Sequence, residues 1–299
     1  MSASTFSQRS AEKSKPLSTG IVRWLERAPI HLAIAIIALI WMVPVVGLLV
    51  SSFRPAALIA RTGWWTALTP PFDFTLDLYL QSLGTAGMGQ SFLNSLYISI
   101  PATVIPILIA AFAAYAFAWM EFPGRDWLFI AVVGLLVVPL QMTLIPVLRI
   151  YNVLHLSGTF VGIWLAHTAY GLPLAVFLLR NFIGALPRDL FESAYLDGAS
   201  PFTAFFRLAL PLSLAAIASL AIFQFMWVWN DLLVALIYLG GAPTVAPMTL
   251  TISNLVNSLG GGWQLLTAAA FISMMLPLLV FFALQQYFVK GILAGSVKE

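Results

Sequence analysis

Long apolar runs alternate with short polar segments along the whole chain. Each run has roughly 20 residues or more, the length of α-helix that crosses the hydrocarbon core of a bilayer. The six runs lack Asp, Glu, Lys and Arg, and they are residues 32–50, 95–120, 127–148, 156–179, 208–230 and 264–289. Because no water reaches the bilayer core, each span must satisfy its backbone groups internally. The pattern therefore predicts an all-α polytopic membrane protein with six transmembrane helices.

Several prolines interrupt these runs. A proline lacks the backbone N–H donor and clashes with the preceding helical turn, but neighbouring helices in a membrane bundle accommodate the defect. The sequence therefore predicts kinked helices, and packing irregularity is favoured over a gating hinge at any one position. The prolines concerned are Pro44, Pro101, Pro106, Pro139, Pro146, Pro173 and Pro277.

The composition excludes an ordinary soluble fold. Hydrophobic residues make up 61% of the 299 residues and charged residues 8%, whereas soluble domains have roughly half and about a quarter. If the six runs span the membrane in turn, most basic residues lie in the segments on one side of it. Those segments contain Arg9, Lys13, Lys15, Arg23 and Arg27 before the first run, Arg125 after the second, Arg180, Arg188 and Arg207 between the fourth and the fifth, and Lys290 and Lys298 after the sixth. The segments on the other side contain only Arg54, Arg61 and Arg149. The positive-inside rule predicts that both termini are cytoplasmic. The net charge of +3 fits a membrane surface and does not indicate nucleic acid binding.

The chain divides into a tail, a bundle and a second tail. We predict a cytoplasmic N-terminal tail at residues 1–29, a six-helix transmembrane domain at residues 30–290 and a cytoplasmic C-terminal tail at residues 291–299. The first twenty residues are polar and Ser-rich, which is typical of a disordered tail. A cleaved signal peptide is the alternative, with "LLVSSF" as a weak site, but the first run is too long for one, so a retained anchor is favoured.

Residues for catalysis or metal binding are missing from the sequence. There is no cysteine, and the three histidines, His31, His155 and His167, show no metal-binding spacing. No HExxH, GxSxG or GxxxxGK motif is present. We predict no metal site, no catalytic residues and no enzyme activity in this chain, so any ATP must be bound by another chain.

The connection at residues 186–211, "LPRDLFESAYLDGASPFTAFFRLALP", is far more polar than the runs beside it. Asp189 suits the first turn of a helix, Gly198 can end that helix in the left-handed conformation, and Ser200 can cap a second one. The first helix, from about residue 187 to 197, is roughly 15 Å long, which is half a bilayer. It is predicted to lie along the cytoplasmic surface.

Two interpretations fit this short helix and its Glu192. It is either an amphipathic connector whose charges are solvated, or a docking element for a cytoplasmic partner. The bare pattern favours the connector.

Two segments near the opposite membrane face carry the other candidate residues. Residues 240–262, "GGAPTVAPMTLTISNLVNSLGGG", are Gly-rich around a short amphipathic piece, which is typical of a mobile surface loop. In "WVWNDLLVALIYL", the carboxylate of Asp231 is costly in the bilayer and should face the bundle interior or the outer interface. Trp227, Trp229 and Asn230 offer flat aromatic faces and an amide to a bound ligand, although an interfacial aromatic belt explains the tryptophans at least as well.

The 186–211 segment resembles the EAA loop of the permease subunits of binding-protein-dependent ABC importers. That pattern is Glu-Ala-Ala, a short gap, Gly, then Ile-x-Leu-Pro. The chain matches it with Glu192-Ser193-Ala194, with Asp197-Gly198-Ala199, and with the LALP segment that ends at Leu210-Pro211; Ser193 replaces the usual Ala. "SSFRP", "NSLYISIPAT", "AAYAFAWMEFPGRDWLF", "GLPLAVFLLRNFIGALPRDL", "WNDLLVALIYL" and "QQYFVKGILAGSVK" are similar to the smaller, six-span permeases of the maltose-type carbohydrate branch.

This resemblance implies an assembly and a location. The expected partners are a second homologous permease, two ATP-binding subunits that hold ATP and Mg, an extracytoplasmic sugar-binding protein and the lipid of the bacterial inner membrane. Glu192 is expected to meet a basic residue of an ATP-binding subunit, and rigid-body movement then switches the permease pair between inward-facing and outward-facing states. The 240–262 loop is expected to contact the binding protein, with Ser253, Asn254, Asn257 and Ser258 as candidates.

The sequence supports three other functions less well. A self-contained secondary transporter is the runner-up, but it would need ionisable residues within several spans, and these runs contain only His167. A membrane enzyme would need catalytic groups that the sequence lacks. A channel would need polar rings along a pore, which the sequence does not indicate.

Overall fold

The computed structural model describes residues 18–84, 87–255 and 262–296, and this part of the chain is helical without strands. In chain order the helices are α1 Ser18–Ser52, α2 Ala56–Ile59, α3 Asp77–Leu83, α4 Met88–Trp119, α5 Arg125–Gly134, α6 Leu140–Val153, α7 Phe160–Gly184, α8 Arg188–Leu196, α9 Pro201–Ala204, α10 Leu210–Leu212, α11 Leu214–Trp229, α12 Leu233–Leu239, α13 Met248–Asn254 and α14 Trp263–Ser296. A 3-10 turn, Trp64–Leu68, follows α2, and a second, Leu135–Val137, joins α5 to α6. A π turn, Phe205–Ala209, joins α9 to α10.

Four of the predicted spans are single long helices, and two are broken. Among the described residues, α1, α4, α7 and α14 are each long and apolar enough to cross a membrane. In the predicted third span the break is sharper than a kink, because α5 and α6 meet at 102°. Val138 there is extended, with φ −75° and ψ 116°. Proline disfavours the helical conformation in the residue before it, so Pro139 stops the first helix.

The predicted fifth span is also bent, by 71° between the α9–α10 stretch and α11. The N–H of Leu210 donates to the carbonyl of Phe205, five residues back, which widens the helix locally. Pro211 follows at once and has no N–H to restore regular bonding. Ser213, with φ −95° and ψ 1°, marks the bend itself.

The terminal helices extend beyond the predicted domain. Helix α1 starts at Ser18, inside the segment predicted as the N-terminal tail, and α14 continues to Ser296, past residue 290. Residues 29–45 of α1 have exposed side chains. This helix packs mainly on α14 and on the first 3-10 turn, so most of its apolar surface is left for lipid or another protein.

Helices α4 and α7 run parallel and form the centre of the bundle. The indole N–H of Trp164 donates to the carbonyl of Tyr97 at 2.8 Å, and that of Trp119 donates to the carbonyl of Ile183 at 2.9 Å. The two bonds tie the helices together near both ends. Small buried residues, Ala102, Ala110, Ala111 and Ala114, line α4, and such residues allow close approach between membrane helices.

Helix α11 joins this pair through one polar residue. The amide of Gln224 donates to the carbonyl of Ala102 at 3.1 Å. A Cβ at Gly171 would lie 2.6 Å from the side-chain oxygen of Gln224. Glycine at this position therefore lets Gln224 pass α7 and reach α4.

Candidate functional site

Helix α8 lies on one end of the bundle and is held there by two aromatic contacts. Phe191 is fully buried, and its ring stacks on Trp119 with centroids 3.9 Å apart. The hydroxyls of Tyr195 and Tyr115 are 3.0 Å apart, within hydrogen-bond distance. Since Trp119 also bonds Ile183, α8 is fixed to the ends of both α4 and α7.

The opposite face of α8 is free. Glu192 and Ser193 are exposed, and Leu196, one turn after Glu192, is 88% exposed. Within the described ranges, no basic group lies within 4.0 Å of the Glu192 carboxylate. The sequence interpretation missed Leu196, although its spacing of four residues from Glu192 places both on one face.

The turn after α8 has the predicted geometry. Gly198 has φ +82°, and its N–H donates to Tyr195 at 3.0 Å, while the N–H of Ala199 donates to Ala194 at 2.9 Å. These bonds satisfy the last carbonyls of the helix. The hydroxyl of Ser200 then accepts the N–H of Thr203, at 3.2 Å, so the predicted second helix starts where expected.

The remaining residues of the predicted coupling set lie in two places. Ala194 and Ala199 are half-buried between α8 and the bundle, and Asp197 is exposed at the turn. Leu210 and Pro211 lie in the bent fifth span, where Leu210 packs against the buried core around Ala110. The predicted set therefore spans a surface helix and a partly buried contact of Leu210 with the bundle, while Pro211 is exposed.

At the other end of the bundle, polar residues on α4 hold the segment before and within α13. The Asn94 amide donates to the carbonyl of Ala246 at 3.0 Å, and the hydroxyl of Ser95 accepts the N–H of Met248 at 2.8 Å. The hydroxyls of Ser91 and Thr251 lie 2.6 Å apart. The first half of the predicted outer loop is therefore attached to the bundle. These three α4 residues were missed because they lie in or beside an apolar run.

A cavity of about 620 Å³ opens beside α13, with Gln90, Thr244 and Asn254 in its lining. Ser253 and Asn254 are exposed. Asn257 and Ser258, the other two binding-protein candidates, lie outside the described residues.

The four substrate-path candidates have different environments. Trp229 is 2% exposed, its indole N–H donates to the carbonyl of Ser273 at 3.0 Å, and its ring packs on Phe225 and Phe92. It is a core residue in this conformation. Trp227 is 38% exposed, and Asn230 is exposed with its amide donating to Met226 at 2.7 Å.

Asp231 and His167 form a buried polar pair. The carboxylate of Asp231 accepts the N–H groups of Val234 at 3.2 Å and Ala235 at 2.9 Å, so it caps the first turn of α12. The nearer His167 ring nitrogen is 3.8 Å from this carboxylate, and neither ring nitrogen makes a hydrogen bond within the described structure. Trp227 covers the imidazole edge-on at 5.4 Å. This pairing could not be predicted from the sequence, because the two residues are 64 positions apart.

The structure is a bundle of helices long and apolar enough to span a membrane, with a surface helix at one end and a cavity at the other. In the part of the chain that the structure describes, no group of three or more His, Cys, Asp or Glu side chains could hold a metal ion. The chain belongs to the family of binding-protein-dependent transport system inner membrane components, whose profile matches residues 74–294. It is thus a multi-pass inner-membrane permease subunit of an ABC transporter.

The sequence and the fold are also similar to those of other transport permeases. The chain is 64% identical to the osmoprotective compounds uptake permease protein GgtD of Synechocystis, over 92% of this chain and 93% of the relative. It is 59% identical to the alpha-glucoside transport system permease protein AglG of Rhizobium meliloti, over 79% of this chain and 63% of that protein. A bacterial ABC transporter involved in import of the acidic polysaccharide alginate contains a chain of the same fold, with a TM-score of 0.71, 17% identity, and coverage of 92% of this chain and 99% of that one.

Proposed function

We propose that this chain forms part of the translocation path of an ATP-driven importer for a neutral sugar, a mono- or oligosaccharide of the glucoside class. The relative named for alpha-glucosides supports this substrate class. The observation that carries the proposal is α8, a short helix fixed to the bundle by Phe191 with Glu192 and Leu196 exposed. A self-contained secondary transporter has no need of such a helix.

The working assembly contains a second, homologous permease, two ATP-binding subunits and an extracytoplasmic binding protein. ATP and Mg are held by the ATP-binding subunits. The exposed apolar surface at residues 29–45 supports a permease partner in the membrane, because membrane helices associate through close packing. Both termini and α8 face the cytoplasm in this arrangement, as the distribution of basic residues indicates.

Helix α8 is the proposed contact with the ATP-binding subunit. Phe191 and Tyr195 hold it to the ends of α4 and α7, so a force applied to α8 reaches the central pair directly. Movement of the docked subunits on ATP binding then rotates the bundle as a rigid body.

Ser253 and Asn254 are the proposed contacts with the binding protein on the other side. They adjoin the cavity beside α13, and the attachment of α13 to α4 through Ser95 and Ser91 supports a rigid receiving surface. Trp227, Asn230 and Asp231 are proposed to lie along the sugar path, with His167 beneath Trp227. An aromatic face beside hydrogen-bonding groups suits a sugar ring.

The test is uptake by the complete transporter reconstituted in liposomes. We expect a radiolabelled neutral α-glucoside to accumulate only with ATP and the loaded binding protein, and an ionophore that collapses proton and sodium gradients to leave uptake unchanged.

Trp227→Ala should lower uptake more than ATP hydrolysis, and Asn254→Ala should weaken stimulation of ATP hydrolysis by the binding protein. Leu80→Ala is the control and should change neither, because Leu80 is exposed and lies outside both sites. Uptake that needs an ion gradient and no ATP would favour the secondary transporter.

A further inference from the structure

Three arginines converge on a cleft at the end of the bundle that carries α8. The cleft has a volume of about 360 Å³ and lies where α4 ends, α7 ends and α8 begins. Arg125, Arg180 and Arg188 line it together with Asn181. The three arginines belong to the start of α5, to α7 and to α8, which are separate parts of the chain.

The positive charge in this cleft is incompletely balanced. Of the three arginines, Arg125 alone has a carboxylate within 4.0 Å in the described structure, that of the exposed Asp126 at 3.1 Å. The Nε–H of Arg180 is buried and has no acceptor in the described part, and the guanidinium lies 4.9 Å from the ring centroid of Phe129. A buried donor without an acceptor is costly, more so when it is charged. The cleft is therefore suited to an anionic acceptor.

We propose that this cleft binds the phosphate group of an anionic phospholipid from the cytoplasmic leaflet. The planar guanidinium fork of arginine matches two phosphate oxygens at once. Trp127 and Leu128, directly after Arg125 and Asp126, are 78% and 53% exposed. An exposed tryptophan is typical of the membrane interface, and basic clefts between membrane helices on the cytoplasmic side recognise anionic head groups. The leaflet follows from the proposed orientation.

A phosphate in this cleft would join α8 to the bundle. Arg188 belongs to the first turn of α8, whereas Arg180 belongs to α7. The bound lipid therefore adds a third attachment to those of Phe191 and Tyr195, and it makes the position of α8 sensitive to lipid composition.

Native mass spectrometry of the purified full-length chain tests the site. We expect phosphatidylglycerol to bind more tightly than phosphatidylcholine, and Arg180→Gln to weaken phosphatidylglycerol binding by roughly tenfold or more, the effect of losing one charge-assisted hydrogen bond. Arg180→Lys should retain part of the affinity because the charge remains. Arg207→Gln is the matched control, since Arg207 is exposed near the same end of the bundle and outside the cleft.

A parallel measurement with soluble glycerol phosphate distinguishes binding of a lipid from binding of any phosphate ester. Binding of glycerol phosphate as tight as that of phosphatidylglycerol would overturn the lipid assignment. Arg188→Gln provides a second test of the site if the Arg180 variants misfold, since Arg188 is exposed on α8. Equal phosphatidylglycerol binding by wild type, Arg180→Gln and Arg188→Gln would overturn the site itself. The readout involves no sugar or ATP, so it is independent of the proposed function.

Discussion

Replacing Glu192 with alanine is expected to uncouple this permease from its ATP-binding subunits. A charge-assisted contact that loses one partner in a desolvated interface typically costs about 2–5 kcal/mol, which corresponds to a fall in docking affinity of roughly 30-fold or more. Shifting a bundle from mostly inward-facing to mostly outward-facing takes about 5.5 kcal/mol. Because the two energies are comparable, the loss of this contact should remove much of the sugar uptake.

The measurement compares uptake and ATPase co-purification at matched membrane levels. Glu192 is exposed and distant from the buried face of α8, so the variant should insert normally. Glu121→Ala is the matched control, because Glu121 is an exposed glutamate in the turn after α4. Wild-type uptake and co-purification by Glu192→Ala would restore the interpretation of α8 as a solvated connector.

Replacing Gly198 with valine is expected to lower uptake by a different route. Gly198 has φ +82°, and a Cβ there meets no atom within 4 Å, so the strain comes from the backbone alone. A β-branched residue in this region costs about 1–3 kcal/mol. The chain would relieve the strain by changing the angle between α8 and α9, which displaces the exposed face of α8.

Gly134→Val provides the control for this substitution. Gly134 also has free space around its Cβ position, but its φ of −58° suits any residue. We expect near-normal uptake from Gly134→Val and strongly reduced uptake from Gly198→Val, measured at equal levels of inserted protein. Equal uptake by the two variants would show that the geometry of this turn does not matter.

The end of α8 and the start of α9 could be predicted from the sequence, because both depend on contacts between near neighbours in the chain. Gly198 and Ser200 act through bonds to their near neighbours, so the sequence alone indicated the end of one helix and the start of the next. The six apolar runs were likewise evident, because bilayer thickness sets their length. The exposed position of Leu196 followed from its spacing but was overlooked.

The sequence predicted kinks at prolines, but it did not indicate that the third and fifth spans are the ones that break. Pro139 precedes a bend of 102°, yet Pro101 and Pro173 lie within unbroken helices. Whether a proline bends or breaks a helix depends on the neighbours that satisfy the freed backbone groups. The same holds for His167, whose contact with Asp231 depends on how α7 packs beside the end of α11.

Site-specific crosslinking at α8 tests the central claim most directly. The chain contains no cysteine, so Leu196→Cys gives it a single thiol that can be labelled with a photoactivatable crosslinker before the transporter is assembled. Leu80→Cys is the control, since Leu80 is 68% exposed and lies in α3, away from α8. Docking of the ATP-binding subunit on α8 predicts a crosslinked product with that subunit from Leu196→Cys and none from Leu80→Cys. No product from Leu196→Cys, or equal yields from both positions, would contradict it.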